Sequence, residues 1–275
     1  MKLSNFPYLI QKEILDHLSI NQLFFLSLCS KNAKNFIKQT QKHQLQKVDR
    51  VTYIIRNTFK AIFVKMANEK NYSRVMSFYN CKMDFNRDFV VKEVRVNEFA
   101  TPIDFLRCPT TDSDLHAKYS PDTLQLIIES IHDQLYDLLG NDTKCWMHSC
   151  DDKVERGTHF LPLLQNIRKA EVFGKGFESA KIDEFLDRST CLEQFAFGLY
   201  QEQPSIQLRE NSKLYDLDTL YVSTMDWRSC SMAKDVLKRF NGRHAFAISK
   251  VRYTRCSSVF ERVEIGRKVQ ELGTY

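Results

Sequence analysis

Residues Phe6 to Lys31 read FPYLIQKEILDHLSINQLFFLSLCSK, and the spacing of their apolar positions decides how the chain begins. Pro7 suits a first helical position, where its missing N–H costs nothing. Ile10, Ile14, Leu15 and Leu18 then fall on one face of a helix of about three turns. Ser19 or Asn21 is placed to cap a second helix, whose Leu23, Phe24, Phe25, Leu26 and Leu28 are apolar on more than one side and so call for two partners. Ser30 caps a third, with Ala33, Phe36 and Ile37 inward and its lysines outward.

Three helices of this size bury too little surface to stand alone, so another protein or the rest of the chain should complete them. Phe6-Pro7, Glu13-Ile14-Leu15, Leu18, Leu23 and Leu26-Ser27-Leu28-Cys29-Ser30-Lys31 resemble the F-box pattern in order and spacing, and the form LSLCSK is similar to the expanded nematode branch of that family. The resemblance implies docking onto the Skp-type linker subunit of an SCF cullin–RING ubiquitin ligase through Phe6, Pro7, Ile10, Ile14, Leu15, Leu18, Leu23, Leu26, Leu28 and Cys29. The family's frequent tryptophan shortly after the cysteine is Asn32 here, and Phe36 offers apolar area nearby.

The rest of the composition is that of an ordinary globular chain: 275 residues, 43% hydrophobic and 27% charged, with little glycine or proline, which excludes long low-complexity stretches. Eight cysteines, at 29, 81, 108, 145, 150, 191, 230 and 256, are scattered without a pairing pattern and are expected to be buried, reduced thiols. The first residues hold no uninterrupted apolar core ahead of a cleavage site, and no apolar run is long enough for a bilayer. A cytoplasmic or nuclear protein with no membrane contact is expected. Lys31, Lys34, Lys38, Lys42, Lys47 and Arg50 contribute to the net charge of +6. They read as a solvated face rather than a nucleic-acid site, since no aromatic platform is interleaved with them.

After this basic stretch the period changes to two. Val51, Tyr53 and Ile55 alternate, as do Phe59, Ala61 and Phe63, and further β-rich runs lie at Val75–Tyr79 and Phe89–Val96, with a turn at Asn57-Thr58. Ser120-Pro121-Asp122 opens a helix with the stripe Leu124, Ile127, Ile128, Ile131, Leu135 and Leu138, stopped by Gly140-Asn141. Beyond it, strand-like segments at Ala170–Gly174, Gln194–Gly198, Thr219–Ser223 and Ala245–Ser249 recur about every 25 residues, separated by helix candidates carrying Ile182, Phe185 and Leu186, and Ala233, Val236, Leu237 and Phe240. That alternation describes a degenerate leucine-rich-repeat-like stack. Leu217-Asp218-Thr219-Leu220-Tyr221-Val222 leading to Trp227 resembles the F-box-associated region of the nematode proteins, while the tail Ser257–Tyr275 lacks that family's closing pattern.

Catalytic and metal signals are weak. Cys145, His148 and Cys150, with His159 remote, lack paired zinc-site spacing. Gly174-Lys175-Gly176 is not continued into a phosphate loop, and no nucleophile or acid–base set is evident. The expectation is therefore an α+β protein: a three-helix F-box at 1–42, a β-rich connecting region at 43–119 and an α/β leucine-rich-repeat-like region at 120–275. Its function would be that of a non-catalytic adaptor without a cofactor, binding a Skp-type linker and an unknown protein target. Loops at Tyr200–Tyr215 and Cys145–Gly157 are candidates for capturing that target. The rivals are a scaffold whose amino-terminal helices merely cap the stack, and a basic nucleic-acid binder. Loss of residues 1–40 would unfold the scaffold but spare the adaptor's remaining domain.

Overall fold

The computed structural model describes residues 5–56, 59–80, 90–94, 103–107, 115–140, 142–151, 160–174, 179–199, 208–224, 229–249 and 261–265. They fall into two compact units, the first within residues 1–54 and 58–145 and the second within 146–275 together with 55–57.

In the first unit the helical start forms as its caps dictate. α1 (Tyr8–Asp16) begins one residue later than expected, with Pro7 as its N-cap. α2 (Ile20–Cys29) is capped by Ser19, whose N–H donates to the Gln22 side chain at 2.9 Å. α3 (Lys31–Thr40) starts from Ser30, whose hydroxyl accepts from the Ala33 N–H at 3.1 Å. A single turn, α4 (Lys42–Leu45), leads into the sheet.

The strands of this unit are β1 (Val48–Ile55), β2 (Lys60–Met66), β3 (Tyr72–Asn80), β4 (Val90–Val94), β5 (Ile103–Arg107) and β6 (Leu115–Tyr119), in the order β1-β2-β3-β6-β5-β4. β2 and β3 are antiparallel, β3 and β6 parallel, and β4, β5 and β6 antiparallel. Val51, Tyr53 and Ile55 are buried as the alternation requires. In β2 the expected face changes at a register shift between Ile62 and Phe63: Ala61, Ile62 and Val64 are buried and Phe63 is half-buried. A bulge inserts one residue and turns the following side chains over. The turn expected at Asn57-Thr58 lies outside the described residues, as do Phe89 and residues 95–96 of the run expected there.

α5 (Leu124–Leu139) follows a turn in which Ser120 O accepts from the Thr123 and Leu124 N–H groups at 3.0 and 3.1 Å, so the helix begins three residues after the expected Pro121. All six residues of its stripe are buried. Gly140, at φ 93°, ends it, its N–H donating to Tyr136 O at 2.9 Å. This backbone conformation is one that side chains rarely adopt. α5 packs against α2 and α3. α5 thus lies in the same compact unit as the first three helices. α2, apolar on more than one side, packs against β3 and α3 as well as α5.

The second unit is built around β8 (Ile167–Gly174), β9 (Gln194–Leu199), β10 (Thr219–Thr224) and β11 (His244–Ser249), the four segments that recur in sequence. They pair in parallel in chain order, with Gln194, Thr219 and His244 in register. β7 (Lys144–Asp151) lies next to β8 in the strand order, and β12 (Glu261–Ile265) pairs antiparallel with β11. α6 (Ser179–Arg188) and α7 (Ser229–Arg239) sit in the connections. Ile182, Phe185 and Leu186 of α6 are buried with Phe195, Phe197, Leu220 and Val222 of the sheet. The Phe185 and Phe195 rings lie 6.2 Å apart, in the range where aromatic pairs attract.

The 25-residue interval is written into the polar contacts as well. Glu193 N–H donates to Arg168 O at 2.8 Å and Arg243 N–H to Asp218 O at 3.0 Å, while Arg168 pairs with Glu193 at 3.2 Å and Arg243 with Asp218. Cys191 donates to Asn166 Oδ1 at 3.6 Å, and Asn241 to Asp216 Oδ1 at 3.3 Å. Each turn of chain is thus tied to the next. No helix among the described residues is long and apolar enough to cross a membrane.

Candidate functional site

α1 presents an outward apolar surface. Tyr8 is 59% exposed, Leu9 74%, Ile10 47% and Ile14 38%, and these are four of the six large exposed apolar side chains among the described residues. Four such residues on one short helix are more than the singly scattered exposed apolar side chains that are ordinary on a protein surface. The Tyr8 ring meets Phe36 of α3 edge-on at 6.0 Å, which extends the surface across to α3. Exposed Lys12 and Glu13 fall between these residues around the helix, and His17 lies 3.2 Å from the Glu13 carboxylate.

The ten residues expected to dock divide by exposure. Pro7, Ile10, Ile14 and Cys29 are exposed, and Phe6, Leu18 and Leu26 are half-buried. Leu15, Leu23 and Leu28 are buried in the first unit, Leu15 and Leu23 completely. The structure therefore brings together an outward set on α1 and a separate inward set that packs the module onto the rest of its unit. Tyr8 and Leu9, also exposed, are not among the ten. A signal for them existed, since three consecutive apolar residues, Tyr8-Leu9-Ile10, sweep about 200° of a helix and cannot all face one core.

The back of the module is fixed by charge. Lys34 and Lys38 of α3 converge on Asp137 of α5 at 2.6 and 2.7 Å, and Lys34 also donates to Gln134 at 3.1 Å. Partial burial pushes the Asp137 carboxyl up, but hydrogen bonds and charge from the two lysines outweigh it and hold it below the usual carboxylate range. Arg50 is paired with Asp49 at 2.8 Å. Half of the basic stretch is thereby engaged within the unit, which leaves Lys31, Lys42 and Lys47 as its exposed cations. A cleft of about 910 Å³ beside this clamp is lined by Lys38, Lys42, Val48, Asp49 and Tyr136, with acids and bases in balance.

The other candidates of the sequence are also located. Cys145 and Met147 of β7 are buried, whereas Trp146, His148 and Cys150 alternate to the other side, and Cys29 and Cys191, expected to be buried, are exposed at a helix end and in a turn. Cys145 is thus kept from sharing a ligand set with His148, and His148 hydrogen-bonds Glu171 at 3.0 Å. That bond, with Lys169 at 2.8 Å, lowers the Glu171 carboxyl to about 2 despite the opposing effect of burial. Among the described residues no group of three His, Cys, Asp or Glu is arranged to hold a metal. The segment expected as a loop from Cys145 is strand as far as Asp151. His159, Lys175, Gly176, Trp227 and the loop residues 152–157 and 200–207 lie outside the described residues. Residues 208–215 are described, and Leu208, Leu214 and Tyr215 are buried.

No curated protein and no solved structure matches the chain. Residues 3–45 match the F-box domain, so the module that carries the outward apolar surface of α1, together with the α2 and α3 that support it, is an F-box.

Proposed function

We propose that the protein is a non-catalytic substrate-recognition adaptor of an SCF-type cullin–RING ubiquitin ligase. An F-box supports that role in general, and the observation that carries the finer reading is the exposed Tyr8, Leu9, Ile10 and Ile14 on α1, which would meet the Skp-type linker. Complete burial of a leucine or isoleucine contributes about 1.5–3 kcal/mol, so burying what Leu9, Ile10 and Ile14 still expose would supply the apolar part of the contact. Pro7, Cys29, Phe6, Leu18 and Leu26 would border the contact. Leu15, Leu23 and Leu28 would shape it from beneath.

The second unit would hold the protein target, with the parallel array read as a degenerate leucine-rich-repeat-like stack of the nematode F-box-associated type. The regular interval of β8 to β11 and the segment Leu217–Val222 support this assignment. Its contribution would be proximity: a bound target is held at high effective concentration near the ligase's ubiquitin-loaded partner. The same reading assigns the protein to the cytoplasm or nucleus, where reduced thiols such as Cys29 and Cys191 persist.

The test is co-expression with a Skp-type linker and size-exclusion chromatography. A one-to-one complex that is lost in Ile10→Glu/Ile14→Glu, with the variant still folded, supports the reading. Separate elution of two folded proteins would sink it and favour the scaffold, a reading that draws on the packing of α2 and α3 against α5 within one unit.

A further inference from the structure

We draw no further inference here: the strongest candidate, the face of the second unit's sheet where Trp146, His148, Phe173 and Tyr221 stand half-exposed around the small residues Ala196 and Gly198, carries nothing because no structural observation shows what covers it.

Discussion

Ile14 and Leu15 are adjacent in sequence, about 100° apart around α1, and opposite in environment: the first is exposed and the second fully buried. Leu15→Ala is expected to cost the first unit about 2–5 kcal/mol, because it opens a cavity in a packed core. Ile14→Ala should change stability by only about 0.5 kcal/mol. Denaturant unfolding of the two variants measures the contrast, and equal losses would contradict the assignment of faces. Sequence spacing alone put both residues on one stripe. It could not divide them, because the division depends on where α2 and α3 lie. In the second unit, Asp183 is buried and accepts from the Arg209 N–H at 3.0 Å, with the guanidinium at 3.3 Å. Removing it as Asp183→Ala should cost roughly 1–3 kcal/mol, again readable by denaturant unfolding. Glu171 gives a pH-dependent test. Its carboxyl titrates at about 2 in the fold against an ordinary 4.5, so its contribution is complete above pH 4.5 and disappears as pH falls through about 2. Glu171→Gln should therefore be less stable than the parent at neutral pH and converge with it in acid; a difference that is constant with pH would exclude the linkage.

At the scale of elements, the best-read features were those governed by local chemistry. Ser19 and Ser30 announce their helices, the α5 stripe is continuous, and the four recurring segments are strands. β5 and β6, five residues each, are too short to display a period, and β7 carries cysteine, histidine and serine in place of the branched residues that usually mark a strand. The bulge in β2 leaves no signature in composition. The apolar positions of α1 and α2 follow from the pattern, whereas which of them stay exposed, as Pro7, Ile10 and Ile14 do, depends on packing. One element-scale prediction concerns the joint between α3 and α5. Asp137→Ala leaves Lys34, which is largely buried, without its carboxylate and should destabilise the first unit by about 1 kcal/mol, a modest figure because Asp137 itself is half-exposed. Hydrogen exchange should show faster opening of α3 and α5 together. Unchanged exchange in both helices would mean that the clamp is only a surface contact.

At the scale of the molecule, the F-box is built into a larger unit, since its α2 lies against β3 and α5. Removing residues 5–45 would uncover the parts of α5 and β3 against which α2 and α3 pack. The truncated chain is expected to lose the cooperative transition of the first unit, by circular dichroism and calorimetry, whether or not the protein recruits a ligase. An unaltered transition would show that the sheet and α5 form a sufficient core on their own. The deletion experiment thus reports on architecture, and the exposed-face substitutions on α1 report on function.

The constant interval from Arg168 to Glu193, Asp218 and Arg243 bears on how such a chain can change over generations. Because each turn is bonded to its neighbour one interval away, a gain or loss of a whole interval preserves every pairing, whereas a change of a few residues within a strand misaligns all that follow. Length in this region is effectively quantised, and a family descended from it would be expected to diversify by duplicating entire turns while leaving the stagger between them untouched.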